Sequence, residues 1–245
     1  MARRSVVLVV EHQADCPPAL LGEWLEEAGC ALSVCRPYAG DAVPGDLTAY
    51  DGLLVLGGSM GAGDDLDHPW LPGVRQLIRS AADDSVPTLG VCLGHQLAAV
   101  ALGGTSQRNP VGHHVGLVPV AWEPVASADP LVGALTGARR AAHWNVDLVS
   151  GLPDGALVLA RTPEGGVQAV RFAPAVWGVQ WHPEIDHRIF EEWAAGDREE
   201  CERLGIDAVA LTAEIEAAAD ELVDSWRPLA SAFAGLLAVK VASGR

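Results

Sequence analysis

Short apolar runs alternate with helix-period patterns along the N-terminal part of the chain. Two stretches, residues 17–29 and 70–82, place apolar side chains on one face of a helix. Around them lie continuous apolar runs, which are typical of strands buried on both faces of a parallel sheet. These predicted strands are residues 5–10, 31–35, 51–56 and 86–91. The alternation predicts an α/β fold, with an open, mostly parallel sheet and helices on both faces.

A different pattern begins after Leu102, where Gly103 and Gly104 end a helical stretch. Short apolar runs follow one another here, with proline- and glycine-containing turns between them. These strand candidates are residues 115–122, 139–143, 156–161, 167–172 and 175–181. Because consecutive strands joined by short turns are typical of antiparallel pairing, we expect an antiparallel or mixed extension of the sheet.

Helical periodicity returns in the C-terminal part of the chain. The pattern predicts one helix over residues 185–195 and a second helical region over residues 197–226 that is broken near Gly205. Pro228 is expected to begin a last helix that ends at about Val239, since proline favours the first turn of a helix.

This pattern divides the chain into two parts. Residues 1–190 are expected to form the α/β domain, and residues 191–245 a helical extension that packs on the same domain. The alternative use of the extension is as a contact surface for another protein chain. Neither an internal repeat nor a low-complexity linker separates the two parts.

Composition and charge narrow the class of protein. The chain has 245 residues, of which 49% are hydrophobic and 20% charged, and its formal net charge is −16. This acidic balance argues against binding to nucleic acid or to an anionic membrane surface, because both require basic patches. No apolar run approaches the roughly 20 residues of a membrane span. The five cysteines are too scattered for a disulfide framework or a metal knuckle, so a reducing, cytoplasmic location is expected.

A candidate nucleophile lies at the end of the fourth predicted strand, in the sequence Gly90-x-Cys92-x-Gly94. This is the pattern of a nucleophile elbow, a sharp strand-to-helix turn that lifts its side chain above the sheet, with cysteine in place of serine. The positive end of the following helix favours a thiolate. Taken alone, Cys92 is equally consistent with an ordinary buried cysteine.

Two further stretches carry chemistry that fits a cysteine nucleophile. His182-Pro183-Glu184 follows the last strand candidate, so the histidine can accept a thiol proton while the glutamate orients it. Gly57 and Gly58 follow the third predicted strand, where exposed backbone N–H groups can stabilise an oxyanion. Each stretch also has a simpler explanation, as a structural histidine and as an ordinary strand-to-helix turn. Functional loops gather at the carboxyl ends of parallel strands, which favours the catalytic interpretation.

Together these stretches resemble the class I, triad-type glutamine amidotransferases. The resemblance rests on residues 57–59, on G-V-C-L-G-H-Q at 90–96 and on V-Q-W-H-P-E at 179–184, and it covers about residues 5–184. It implies a flavodoxin-like fold. Finer features are similar to free-standing proteins that resemble the amidotransferase domain of GMP synthase. These features are residues 68–71, 87–90, 103–104, 108–110, 143–144 and Asp147.

The resemblance implies a role for each matching catalytic residue. Cys92 matches the nucleophile that attacks the side-chain amide carbon of glutamine, and His182, oriented by Glu184, matches the base that later protonates the leaving ammonia. The backbone N–H groups of Gly58 and Leu93 match the oxyanion hole. Water then hydrolyses the γ-glutamyl thioester, so neither a cofactor nor a metal is expected.

The resemblance also implies three substrate-binding residues. Gln96 matches a residue that contacts bound glutamine, and His143 and Trp144 align with a segment whose backbone holds its α-amino and α-carboxylate groups. The chain departs from the family at Ser59, where many members carry proline, and at the histidine pair 113–114, where related proteins often carry an aromatic or acidic residue. These departures leave the exact substrate open.

Three functions are compatible with these residues. The first is a glutaminase that supplies ammonia to a separate acceptor protein, because the chain has no Gly-x-x-x-x-Gly-Lys phosphate loop for a synthase reaction of its own. The second is a γ-glutamyl peptide hydrolase with the same catalytic residues and no transfer of ammonia. The third is a catalytically silent regulatory module, against which the intact set of catalytic residue types argues.

Overall fold

The computed structural model describes residues 3–135, 137 and 139–242 of the chain. Its strands are β1 (Val6–Val10), β2 (Ala31–Cys35), β3 (Gly52–Val55), β4 (Thr88–Val91), β5 (Thr105–Arg108), β6 (His114–Pro119), β7 (Ala121–Trp122), β8 (Arg140–Asn145), β9 (Asp147–Gly151), β10 (Leu157–Arg161), β11 (Val167–Ala173) and β12 (Val176–Val179). Its α-helices are α1 (Ala19–Glu27), α2 (Leu71–Asp83), α3 (Leu93–Ala101), α4 (His187–Gly196), α5 (Arg198–Leu204), α6 (Ala208–Ala217) and α7 (Ala219–Ala242).

Eight of these strands form one central sheet in the order β2-β1-β3-β4-β12-β11-β10-β7. The strands from β2 to β12 in this order are parallel to one another. The strands β11, β10 and β7 are added in antiparallel orientation. The prediction of a mostly parallel sheet with an antiparallel extension is therefore confirmed.

Both faces of the parallel part are buried, as the continuous apolar runs predicted. In β1, Val7 and Val9 belong to one hydrophobic cluster, and Leu8 and Val10 belong to the other. This division follows from strand geometry, because successive side chains of a strand point to opposite faces. Helices α1 and α7 pack into the first cluster, and α2 and α3 pack into the second. Helices therefore cover both faces of the sheet.

The predicted strand at residues 115–122 is two strands in different sheets. Its first part is β6, which pairs with β8 in a separate two-stranded sheet, and its last part is β7 at the edge of the central sheet. β6 ends at Pro119, and the following Val120 still donates its N–H to the carbonyl oxygen of Arg139 over 2.9 Å before the chain enters β7. Another small sheet pairs β5 with β9. The hydrophobic pattern did not indicate it, because β5 is short and polar.

The predicted start of a helix at Pro228 is wrong, because α7 runs through that proline without interruption. A proline inside a helix leaves the carbonyl four residues earlier without its N–H partner. Here that carbonyl belongs to Asp224, and the guanidinium of Arg139 donates to it over 3.4 Å. A side chain from elsewhere in the fold therefore replaces the missing backbone donor.

The predicted break near Gly205 is confirmed. Helix α5 ends at Leu204, and Gly205 follows with φ of 69°, the left-handed conformation that commonly terminates helices. Although α7 has 24 residues, no helix in the described part of the chain is both long and apolar enough to cross a membrane.

The turn between β4 and α3 brings neighbouring backbones unusually close. Cys92 has φ of 50° and ψ of −103°, a backbone conformation that residues other than glycine rarely adopt. A Cβ atom at Gly90 or Gly94, on either side of it, would overlap backbone atoms, which at Gly94 are those of Val55 in β3. Because only hydrogen fits there, α3 lies directly against the sheet and Cys92 is held at the carboxyl end of β4.

Substituting Gly94 with alanine should destabilise the protein. The added methyl group overlaps the Val55 carbonyl, so α3 must move away from the sheet, and overpacking of this kind costs about 3 kcal/mol or more. In thermal denaturation this corresponds to a melting temperature lower by about 6 °C or more. Gly63→Ala is the matched control, because a Cβ there meets no atom of the described residues within 4 Å. Equal melting temperatures for the two variants would contradict the close contact.

Candidate active site

Four loops that follow parallel strands meet at one edge of the central sheet. They come after β1, β3, β4 and β12, and they carry His12, Gly57-Gly58, Cys92 and the stretch 180–184. Neighbouring parallel strands end at the same edge, so stretches that are far apart in sequence lie side by side. The fold therefore brings together the three stretches that the sequence singled out.

Two cavities open at this edge, and both reach Cys92. The smaller, of about 220 Å³, is also lined by His182, and we call it the His182 cavity. The larger, of about 480 Å³, is also lined by Gln96, and we call it the Gln96 cavity. The two cavities share the lining residues Gly58, Ser59, Cys92, Trp144 and Asp197.

His182 is held between a carboxylate and an aromatic ring. Its Nδ1 lies 2.7 Å from Oε1 of Glu184, and both side chains are almost completely buried. The ring of Trp193 meets the imidazole in a T-shaped contact, with 4.6 Å between centroids. Burial by itself lowers the pKa of His182, but the charges of Glu184 and Cys92 outweigh it and raise the pKa well above its usual range. The imidazole therefore holds a proton that it can donate.

The backbone N–H groups of Gly58 and Leu93 are the predicted oxyanion donors. Gly58 lines both cavities, and Leu93 is the first residue of α3, so its N–H has no acceptor within the helix. A Cβ at the neighbouring Gly57 would lie 3.0 Å from Cε1 of His182 and 3.6 Å from Cβ of Cys92. The loop backbone therefore packs directly against both side chains, a position from which N–H groups can reach an oxyanion.

Gln96 lines the cavity named after it, with an amide group that is already engaged. Its Nε2 donates to the carbonyl oxygen of Asp147 over 3.0 Å and to Oε1 of Gln180 over 3.2 Å. Gln96, which is predicted to bind the substrate, therefore also holds the side chain of Gln180 and the backbone of Asp147 through hydrogen bonds.

Gln180 is a residue of the site that sequence reasoning missed. It is completely buried, and its Nε2 donates to Sγ of Cys92 over 3.5 Å. Because its Oε1 accepts the N–H of Gln96, its amide nitrogen must face the sulfur. The available signal was a lone amide side chain inside the apolar run at residues 176–181.

The structure places the side chain of Trp144 in the lining of the cavities and the side chain of His143 outside it. Trp144 lines both cavities, and its Nε1 donates to Oδ2 of Asp197 over 2.9 Å. His143 is buried, lines neither cavity and packs against His114 in a tilted contact with 4.7 Å between ring centroids. Adjacent residues of a strand point to opposite sides, which separates the two side chains. A role for the backbone of His143 at the substrate stays a prediction.

The C-terminal extension contributes directly to both cavities, which its sequence pattern did not indicate. Trp193 in α4 lines the His182 cavity, Asp197 lines both, and Glu200 in α5 lines the Gln96 cavity. Trp193 is fixed by a hydrogen bond from its Nε1 to the carbonyl oxygen of Asp15, at 2.7 Å. The one available signal was position, because α4 begins at His187, three residues after Glu184.

His12 and His95 are buried near this edge and line neither cavity. His12 is fully buried behind Gly58, where its Nδ1 accepts a hydrogen bond from Nε1 of Trp70 over 3.1 Å. Burial and the nearby His68 lower its pKa to about 3. His95 is also fully buried, and burial lowers its pKa to about 3. In the described part of the chain, no group of three or more His, Cys, Asp or Glu side chains is arranged to hold a metal ion.

Comparison with known sequences identifies relatives of this chain. The sequence profile described as glutamine amidotransferase class-I matches residues 20–193. One of the subunits of the glutamine-hydrolysing GMP synthase of Halobacterium salinarum is 37% identical over 158 residues, which are 62% of this chain and 78% of that protein. The glutamine amidotransferase-like protein YfeJ of Salmonella typhimurium is 30% identical over 186 residues, which are 74% of this chain and 75% of that protein.

Solved structures share the fold. A glutamine amidotransferase from Thermotoga maritima superposes with a TM-score of 0.84 at 23% identity, over 95% of this chain and 99% of that one. A glutamine amidotransferase from Methylobacillus flagellatus superposes with a TM-score of 0.82 at 25% identity, over 97% of this chain and 96% of that one. Because both superpositions span nearly the whole chain, the shared fold includes the C-terminal helices beyond the profile match.

Gln180→Leu should slow the alkylation of Cys92 by iodoacetamide. Leucine has a similar volume but cannot donate a hydrogen bond to the sulfur, and such a bond contributes about 1 kcal/mol. The expected result at pH 7 is a rate about fivefold lower, measured by mass spectrometry of the peptide that contains Cys92. Gln76→Leu, at an exposed position of α2, is the control. An unchanged rate in the Gln180 variant would show that its amide does not act on the sulfur.

Because His95 is buried and neutral, it should lower the free energy of unfolding as the pH decreases. Its pKa is about 3 in the folded chain, and about 6.5 is expected when the chain is unfolded. Between these pH values the unfolded chain binds a proton that the folded chain does not, so the free energy of unfolding falls as the pH decreases. One such proton corresponds to about 1.4 kcal/mol per pH unit.

Urea unfolding of His95→Leu between pH 6 and pH 4 tests this expectation. The variant should lose stability less steeply with decreasing pH, by up to about 1.4 kcal/mol per unit. Leu97→Ala, another buried position of α3, should lower stability at every pH without changing the slope, because it removes no titratable group. Identical slopes for the wild-type chain and His95→Leu would be inconsistent with a buried, neutral His95.

Proposed function

The chain belongs to the class I glutamine amidotransferase family, and we propose that it hydrolyses the side-chain amide of glutamine through a γ-glutamyl thioester on Cys92. One observation carries this proposal. Cys92, at the start of a helix, shares a cavity with His182 and with the glycine loop at Gly58, and Glu184 holds His182 from behind through a hydrogen bond. These are the groups that a thioester mechanism needs, namely a nucleophile, a proton donor with its orienting acid, and oxyanion donors.

The first step of the proposed reaction forms the thioester. Sγ of Cys92 attacks the amide carbon of the substrate, and the carbonyl oxygen gains negative charge that the N–H groups of Gly58 and Leu93 stabilise. His182 then donates its proton to the amide nitrogen, the carbon–nitrogen bond breaks and ammonia leaves. The raised pKa of His182 supports this role, because the imidazole is protonated when the leaving group needs the proton.

The second step consumes water. His182, now neutral, accepts a proton from a water molecule as its oxygen attacks the thioester carbon, and the carbon–sulfur bond breaks. Glutamate leaves and the starting protonation state of the site returns. Glu184 stabilises the imidazolium throughout and fixes which ring nitrogen faces the substrate, because Nδ1 is held by its carboxylate.

Cys92 is a better candidate for the nucleophile than the other cysteine in the His182 cavity. Cys16 also lines this cavity, but burial and the nearby Asp15 and Glu184 raise its pKa far above the usual range, so it stays a thiol. Of the two cysteines, it is Cys92 that combines the helix N-terminus with a hydrogen bond from Gln180.

A separate protein is the proposed consumer of the ammonia. The relative in Halobacterium salinarum is named as one of the subunits of a glutamine-hydrolysing GMP synthase, which supports a division of labour between two chains. The alternative, hydrolysis of γ-glutamyl peptides, uses the same thioester and differs only in the leaving group. A silent regulatory role is disfavoured, because Cys92, His182 and Gly58 share one cavity and Glu184 is hydrogen-bonded to His182.

Cys92→Ala should abolish glutamine hydrolysis, with a loss of at least about 10³-fold, and Glu184→Gln should reduce it by about 10²-fold or more. Glutamate release from glutamine is the measurement. Cys30→Ala is the control, because Cys30 is buried next to β2 and lines neither cavity. A diazoketone analogue of glutamine, followed by mass spectrometry, locates the nucleophile independently of turnover. Labelling of Cys16, or retained activity in Cys92→Ala, would contradict the proposal.

A further inference from the structure

We propose that the site also cleaves γ-glutamyl amides of small diamines, with the diamine seated in the His182 cavity. This inference rests on the proposed thioester chemistry and names the substrate class that the cavities favour. The space around Cys92 consists of the His182 cavity and the Gln96 cavity. Trp144 and Asp197, joined by a hydrogen bond of 2.9 Å, line both cavities.

The chemistry assigns the two halves of the substrate to the two cavities. The leaving nitrogen must lie on the side of the group that protonates it. His182 lines the smaller cavity and does not line the larger one. The leaving group therefore occupies the His182 cavity, and the glutamyl part occupies the Gln96 cavity.

The Gln96 cavity carries charges that suit the glutamyl part. Arg108 can pair with the α-carboxylate, while Asp64 and Asp147 can pair with the α-ammonium group. The two carboxylates lie close together, since a Cβ at Gly61 would be 3.1 Å from Oδ2 of Asp64 and 3.3 Å from Oδ2 of Asp147. A zwitterionic amino acid end therefore meets both signs of charge.

The His182 cavity is much larger than ammonia requires. A molecule of the size of water or ammonia needs roughly 10–15 Å³ of such space. The cavity offers about 220 Å³, enough for a short aliphatic chain attached to the leaving nitrogen. Glutamine, whose leaving group is ammonia, leaves most of it empty.

The lining of the His182 cavity selects among leaving amines. It contains the carboxylates of Asp15 and Asp197 and the ring of Trp193, which together favour a cation. Among the residues that the structure describes, no lysine or arginine lines this cavity, and its one basic side chain is that of His182. An amine with a second positive group therefore fits better than an amino acid, whose carboxylate would face two acids.

The proposed reaction balances without a further reactant. The amide carbon–nitrogen bond breaks as the bond to Sγ of Cys92 forms, and the proton of His182 goes to the leaving diamine. Water then hydrolyses the thioester and restores the proton to His182. The products are glutamate and the free diamine.

Three γ-glutamyl amides of similar length test the proposal, with glutamine as the reference substrate. Their amines are 1,4-diaminobutane, butylamine and 4-aminobutanoate, which end in a cation, a methyl group and an anion. Glutamate release by the full chain gives kcat/KM for each. The diaminobutane amide should exceed the butylamide by about fivefold and the aminobutanoate amide by more, because its terminal ammonium group meets two carboxylates and an aromatic ring.

Variants of the two carboxylates identify the source of the preference. Asp15→Asn and Asp197→Asn should each lower the ratio of diaminobutane amide to butylamide towards unity, because they remove charge and keep the shape. Asparagine at 197 can still accept the hydrogen bond from Trp144. Asp154→Asn, at an exposed turn outside both cavities, should leave the ratio unchanged.

The outcomes separate the two proposals. Turnover of glutamine with less than about 1% of that rate for all three amides would overturn the diamine proposal and leave the glutaminase function standing. A preference for the aminobutanoate amide would overturn it equally. If no substrate is hydrolysed and the diazoketone fails to label Cys92, the proposed thioester function itself is wrong.

Discussion

The close contact between α3 and the backbone of β3 is the constraint on which the rest of the site depends. Because Gly94 has no side chain, α3 can lie against the carbonyl of Val55, and the turn before it forces Cys92 into a positive φ. A backbone conformation of this kind costs about 1–3 kcal/mol, which the packing of α3 into the core offsets. This backbone conformation places the sulfur of Cys92 at the carboxyl end of β4 and at the start of α3.

Around that fixed sulfur, the site is built from buried polar groups that hold one another in place. Glu184 orients His182 through a hydrogen bond of 2.7 Å, and Gln96 orients Gln180, whose amide faces the sulfur. In a buried environment such contacts are stronger than in water, and each unpaired group is correspondingly costly. The same burial keeps His12 and His95 neutral while Glu184 keeps His182 charged, so neighbouring histidines have opposite protonation states.

The C-terminal helices complete the site rather than merely covering the domain. Trp193 packs against His182, and Asp197 bridges to Trp144 across the two cavities. Farther along the extension, the ring of Trp226 in α7 packs against Trp181, the residue before His182, in a tilted contact. The extension therefore contacts both Trp181 and His182. The residues that line the His182 cavity include Trp193, at the end of the family profile, and Asp197, beyond it.

The sequence by itself determined the parallel sheet, its antiparallel extension and the positions of Cys92, His182 and Glu184, because these depend on local patterns. Continuous apolar runs specify buried strands, and a glycine-flanked cysteine after a strand specifies a sharp turn. Only the tertiary structure decided the rest, because it depends on contacts between distant residues. Arg139 reaches across the fold to the carbonyl that Pro228 leaves free, so α7 continues where a helix start was expected. Gln180, which contacts the sulfur of Cys92, and Trp193 and Asp197, which line the same cavity, are further examples. The periodicity of one segment does not show which side chains meet once strands and helices pack.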